Sequence, residues 1–257
     1  MTEGERQQRI LSALEDHPFV TVRDLTDVLN VSPATIRRDI DKLHDAGEAR
    51  KVFGGIASLA PASRVSALPF NESSDLAVDA KRAIASAAVA LCRNGDAIIV
   101  GGGSTCHQFG LLLADRPISV FTNSMPLAAA LGTSGACHLT VMGGVLYRES
   151  GILHSSRIDP PDFFASHMFL GAQGLGPEGV LESNPLLLEA TRPLLDRTDE
   201  VIVLADSRKL SVRARYVICP IERISTLITD EGLTDEVRRQ FEDAGVRVVV
   251  ARTEGKA

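Results

Sequence analysis

Seven short apolar runs constrain this 257-residue chain more than any other feature: residues 97–100, 118–121, 139–142, 168–170, 201–204, 225–228 and 246–250. Most are continuous and β-branched, and helical stretches separate many of them, starting with residues 80–91. A strand with one wet face alternates apolar and polar side chains, whereas one that is apolar throughout must be covered on both faces. The pattern predicts a buried parallel sheet wrapped by helices. In such sheets ligands sit beyond the carboxyl ends of the strands.

The residues just after those runs are polar or glycine-rich. Gly101, Gly102 and Gly103 come after the first, and Ser104 and Thr105 then open a helix expected to reach residue 113. Glycines let the backbone approach an anion, and the free amides of a helix start, with two hydroxyls, can hold a phosphate. Thr122, Asn123 and Ser124 come after the next run, and Gly143 and Gly144 after the third. Residues 171–174, with Gln173, and residues 206–209 stand after two more. Lys209 can pair with a phosphate or carboxylate, while Asp206 can accept sugar hydroxyls or orient Lys209. Gln173 either reaches the ligand or is a structural amide, and His107 either donates to an anion or packs on its helix. Tyr147, Arg148 and Glu149 either edge the pocket or form a solvated loop, and the loop is the favoured reading. Pro193, inside a helix over 185–197, predicts a kink.

The first 58 residues have a different rhythm. Residues 6–16 and 22–29 are amphipathic, Thr21 can cap the second segment, and Asn30-Val31 make a tight connection to Ser32. Ser32 is a good N-cap and Pro33 suits the first helical position. The helix begun there carries Ile36, Ile40 and Leu43 on one face, leaving Thr35, Arg37, Arg38, Asp41 and Lys42 outward. Helix, helix, turn, helix is the order in which the last helix reads a DNA major groove. Gly47 can end that helix, and residues 50–55, with Arg50 and Lys51, form a basic ribbon placed to touch phosphate. The alternative is a generic three-helix bundle with a solvated Arg pair.

On these residues the chain resembles the DeoR-type repressors of bacterial sugar operons. Their DNA-binding end typically runs V-S-x-A-T-I-R-R-D-L, then a Gly-ended helix and an R-x-H-G-G wing. Residues 31–40 match the first part almost throughout, and Lys51, Gly54 and Gly55 match the second. Phe53 stands where His is usual, and Glu48 where an apolar residue is common. The family's sensor domain resembles ribose-5-phosphate isomerase and related sugar-phosphate enzymes. Its landmarks are a Lys opening the first helix, D-x-G-T-T, T-N-S, G-G and D-x-x-K. They fall on Lys81, on Gly103-Ser104-Thr105, on Thr122-Asn123-Ser124, on Gly143-Gly144, and on Asp206 with Lys209. Gly101 replaces the usual Asp, which brings the loop closer to the isomerase's and implies a less typical effector. In that respect the chain looks like the subgroup answering to ascorbate or other acidic sugar phosphates.

The fold class expected is therefore α/β, with an N-terminal winged helix-turn-helix over 1–58, a linker over 59–69 and a sugar-phosphate-sensing α/β domain over 70–257. A net charge of −6 excludes a polycation coating DNA, so binding rests on a local patch doubled by a homodimer or homotetramer. No apolar run reaches the ~18 residues that span a membrane, and Glu3 and Glu5 occupy the place of a basic leader, so the cytoplasm is the expected address. Cys92, Cys106, Cys137 and Cys219 have no CxxC spacing and read as reduced thiols. Neither a metal nor a cofactor is expected. The partners expected are double-stranded operator DNA and a phosphorylated sugar or sugar-acid effector. An isomerase-like enzyme with an appended DNA-binding domain is the alternative function. Isomerisation needs a carboxylate base and an electrophile, yet the isomerase's acidic stretch with its Lys-Gly loop has no counterpart here. Glu182 and Glu189 are bases only by elimination.

Overall fold

Thr21 and Ser32 do what their positions demand. In the computed structural model, which describes residues 2–16, 19–52, 54–58, 68–133, 135–154 and 163–253, each hydroxyl accepts an N–H at the start of a helix. The first unit runs α1 (Glu3–Asp16), β1 (Phe19–Thr21), α2 (Val22–Leu29), α3 (Pro33–Asp45), β2 (Ala49–Val52) and β3 (Gly55–Ser58). Asn30, left-handed at φ +51°, closes α2 and turns the chain into α3. At the far end of α3, Gly47 has φ +68°. Its N–H donates to the His44 carbonyl at 3.0 Å, and that of Glu48 donates to Leu43 at 2.9 Å. This paired closure ends helices where glycine can go left-handed.

Ile10, Leu14, Leu25, Leu29, Ile36, Ile40, Leu43 and Ile56 make the first unit's core. The expected ribbon is a three-stranded antiparallel sheet in the order β1-β3-β2, because β1 pairs along β3. Phe53 lies outside the described residues. So do residues 59–67 of the expected linker, and the chain divides into compact units at 65/66.

The second unit continues with α4 (Phe70–Asp75), α5 (Val78–Val89), β4 (Ala97–Val100), α6 (Ser104–Leu111), β5 (Ser119–Thr122), α7 (Met125–Leu131) and β6 (His138–Val141). Then come β7 (Val145–Tyr147), β8 (Ile152–His154), β9 (Ala165–Gly171), β10 (Gly174–Gly176), β11 (Gly179–Glu182), α8 (Pro185–Leu195) and β12 (Thr198–Leu204). The chain ends with β13 (Tyr216–Pro220), β14 (Ile224–Asp230), α9 (Asp235–Asp243) and β15 (Arg247–Ala251).

All seven apolar runs lie in one parallel sheet, ordered β15-β14-β12-β9-β4-β5-β6. Alternate residues feed two cores. Ile98, Val100, Phe169 and Ile202 pack with Ile84 of α5 and Phe109 of α6, whereas Ile99, Leu170 and Val203 pack with Leu194 of α8 and Phe241 of α9. The inner strands β4, β9 and β12 are covered on both faces, whereas the edge strand β6, with Thr140, is partly exposed. Two features lie outside the sequence pattern: the hairpin β7–β8 and a small antiparallel sheet β10-β11-β13. The helix expected from 80 begins at Val78, the one expected to reach 113 ends at Leu111, and α8 runs through Pro193. Among the described residues no helix is long and apolar enough to cross a membrane.

Candidate functional site

In the first unit, burial of Ile36, Ile40 and Leu43 turns Arg37, Arg38 and Lys42 to solvent. Thr35 is half-buried, and its hydroxyl lies 2.9 Å from that of Ser32. Lys42 pairs with Glu3 at 2.6 Å and Lys51 with Asp41 at 2.5 Å, each pair about half exposed. Such exposed pairs are weak and can be exchanged for phosphate. Arg37, Arg38 and Arg50 are exposed and form no ion pair with a described residue. Arg37 and Lys51 border a cleft shared by α2, α3 and the β2–β3 turn, with Thr21, Arg23, Pro33 and Gly54.

Asp39 lies on the inner side of α3, between the outward Arg38 and Lys42. It is buried, 2% exposed, and takes both arms of Arg6 at 2.7 and 3.1 Å. The hydrogen bonds to Asp39 hold the Arg6 guanidinium above its usual pKa. This fork ties α1 to α3 and fixes the presentation of the outer face.

In the second unit, strand ends converge on a cavity of about 120 Å³. Gly102, Gly103 and Ser104 enter it after β4, Asn123 after β5, Gln173 after β9, and Lys209 after β12. Glu182 closes β11 against the same space, and Phe70, Ile152, Leu187 and Ile218 supply an apolar wall. Gly103 precedes α6 at φ +105°, a conformation L side chains rarely adopt, and leaves the helix start without a side-chain cap. Exposed amides at such a start favour an anion.

Helix α4, which the sequence pattern does not reveal, borders this loop. The Ser73 hydroxyl lies 3.0 Å from that of Ser104, and the Phe70 ring stands edge-on to His107 at 5.3 Å. Lys81 does not line the cavity; it is buried and its ammonium donates to the Ser73 carbonyl. Burial lowers the Lys81 pKa to about 7 despite the attraction of Asp206, and burial likewise lowers that of Lys209. For Asp206, burial opposes ionisation, but Arg208, Lys209 and Lys81 together hold its carboxyl below the usual range. Arg208 grips both its oxygens, at 2.6 and 3.1 Å. Burial pushes Glu182 up, against backbone N–H donation from Asn184 and Ser183.

The remaining candidates are placed around the cavity without lining it. The Thr122 hydroxyl donates to the Val100 carbonyl at 2.6 Å and accepts the Ser124 N–H, and Ser124 in turn caps α7. Thr105 is buried in the first turn of α6, and Gly143 and Gly144 are exposed after β6. Within the cavity lining, Gln173 accepts the Ser183 N–H at 2.8 Å and its hydroxyl at 2.9 Å. Glu182 carries the same signal that marks the other strand ends, a polar residue closing an apolar run.

Residues 6–62 match the DeoR-like helix-turn-helix domain and residues 76–231 match the DeoR C terminal sensor domain. The chain belongs to the DeoR family. It is 32% identical to the HTH-type transcriptional regulator UlaR of Escherichia coli (strain SMS-3-5 / SECEC), over 97% of this chain and 99% of the relative. Identity and coverage are the same for the regulator of that name from Shigella boydii serotype 18. Among solved structures it is similar to a D-ribose-5-phosphate isomerase in complex with phospho-erythronic acid, at 20% identity, 51% of this chain, 52% of that one and a TM-score of 0.38. It is also similar to eIF2B beta from Chaetomium thermophilum, at 16% identity, 65% and 53% coverage and a TM-score of 0.43.

As a DeoR-family member the protein is a DNA-binding transcriptional regulator and not an enzyme. Its two domains imply operator DNA and a small-molecule ligand. Where the family usually has Asp, Gly101 is buried, and a Cβ there would lie 3.3 Å from the Phe169 carbonyl oxygen. Any side chain at 101 would have to displace backbone of β9 by a few tenths of an ångström.

Proposed function

We propose that this regulator represses a sugar catabolic operon, and that a phosphorylated sugar or sugar acid held in the cavity modulates its grip on the operator. The observation that carries this reading is the convergence of the uncapped α6 start, Ser104 and Lys209 on one cavity. Amides and an ammonium together suit a phosphate, and the apolar wall with Asn123 suits the carbon skeleton of a small ligand. The regulator works in the cytoplasm as a homodimer or homotetramer, setting paired α3 helices on repeated or inverted half-sites. Ser32, Thr35, Arg37, Arg38, Lys42, Arg50 and Lys51 form the DNA face.

The route for the signal starts at Ser104. A ligand oxygen that takes the Ser104 hydroxyl competes with Ser73, and α4 comes directly after the segment that joins the two units. Displacing α4 releases the Ser73 carbonyl from Lys81. The ligand changes operator binding only by its differential affinity for the two arrangements.

A thermal-shift screen of the full chain against phosphorylated sugars and sugar acids tests the reading, since a ligand of the folded state raises its melting temperature. Lys209→Ala and Ser104→Ala are expected to retain operator binding and to blunt the effector response. Unchanged effector sensitivity in both would contradict the site.

A further inference from the structure

Glu182 is a buried carboxylate, 5% exposed, that lines the cavity with one oxygen committed and the other open. Its Oε1 accepts the Ser183 N–H at 2.8 Å and the Asn184 N–H at 3.0 Å. Its Oε2 has no hydrogen-bond partner among the described residues, and Lys209 attracts it without forming an ion pair. Asn123, 2% exposed and lining the same cavity, has an unpartnered Oδ1. Buried acceptors are almost always paired, and leaving one bare is costly. A bare, buried Asn123 Oδ1 and an open Glu182 oxygen in one small cavity call for hydrogen donors. A phosphate offers none of use there and would be repelled by the carboxylate, whereas a hydroxyl satisfies either.

We propose that Glu182 is the specificity-determining residue of the sensor cavity, accepting a hydroxyl of a phosphorylated polyhydroxyl ligand and so distinguishing it from inorganic phosphate. This rests on the proposed sensor function and adds to it the group that reads the carbon skeleton. Asn123 takes a second hydroxyl. Gln173 keeps Ser183, and with it the Glu182 carboxylate, in place through their shared N–H.

The test compares the full-length protein with Glu182→Gln and Glu182→Asp by thermal shift. The probes are inorganic phosphate, glycerol 3-phosphate, ribose 5-phosphate, glucose 6-phosphate and 6-phosphogluconate. Wild type is expected to be stabilised more by at least one phosphorylated polyol, sugar or sugar acid than by inorganic phosphate at equal concentration. Both variants should bind that probe about tenfold or more weakly, because a site built around a hydroxyl loses most when that bond is broken. Glu182→Gln keeps an oxygen for the Ser183 and Asn184 amides and removes a buried charge, so its unliganded melting temperature should match or exceed that of wild type. If it melts well below wild type, Glu182→Asp, which keeps the charge and withdraws the oxygens, decides. A folded variant with the wild-type preference would overturn the role of Glu182. A wild type stabilised by none of these probes would overturn the sensor reading, and this proposal with it.

Discussion

Arg37 and Arg38 act in a chain whose net charge is −6, with no general attraction for DNA behind them. Arg37→Ala or Arg38→Ala is therefore expected to weaken operator binding by about 1–3 kcal/mol and to relax specificity, measured by fluorescence anisotropy on operator and scrambled duplexes. Wild-type binding by both variants would remove α3 from the groove. In the other unit Lys81 makes stability depend on pH. Folding lowers its pKa from 10.5 to about 7. Between those values the unfolded chain holds the extra proton, so stability rises with pH by up to about 1.4 kcal/mol per unit. Lys209, also lowered, acts in the same direction. Cys92 and Cys106, raised from 9.0 to about 12, act the other way above pH 9, so the clean window is pH 7 to 9. Urea unfolding across that window should show the rise in wild type and a flatter dependence in Lys81→Met. The caps at Thr21 and Ser32 and the outward Arg pair were legible because their signals lie within a few residues. The Arg6–Asp39 fork spans 33 positions and Glu182 owes its environment to Gln173, Lys209 and the cavity, so neither shows in a local pattern.

At the scale of elements, the end of α3 depends on one glycine. Gly47→Ala forces a Cβ into φ +68° and should cost the first unit about 1 kcal/mol, read as a lower urea midpoint with an unchanged slope. An unchanged midpoint would mean that the closure does not need glycine. The central sheet was legible because two-sided burial leaves continuous apolar runs in its inner strands, as Ile98, Ile99 and Val100 show by serving both cores. Strand β1 and the sheet β10-β11-β13 were not. Each has strands of three to five residues, too short for a period, and β10 is two-thirds glycine. Helix α4, six residues with no side-chain cap, carries no start signal, yet it supplies Phe70 and Ser73 to the cavity.

In the whole molecule, a DNA-reading unit and a ligand-reading unit are joined through the segment before α4. Coupling of this kind is reciprocal: a ligand that weakens operator binding is itself held less tightly when operator is present. Loss of Lys209 should break that reciprocity from the ligand side, while loss of Arg37 should break it from the DNA side. The most direct measurement is operator affinity of the full chain with and without saturating amounts of the phosphorylated compound that most raises its melting temperature. The expected result is a change of about 5- to 150-fold in wild type, largely lost in Lys209→Ala. An operator affinity that stays the same in wild type, with the ligand demonstrably bound, would contradict the coupling of the two units.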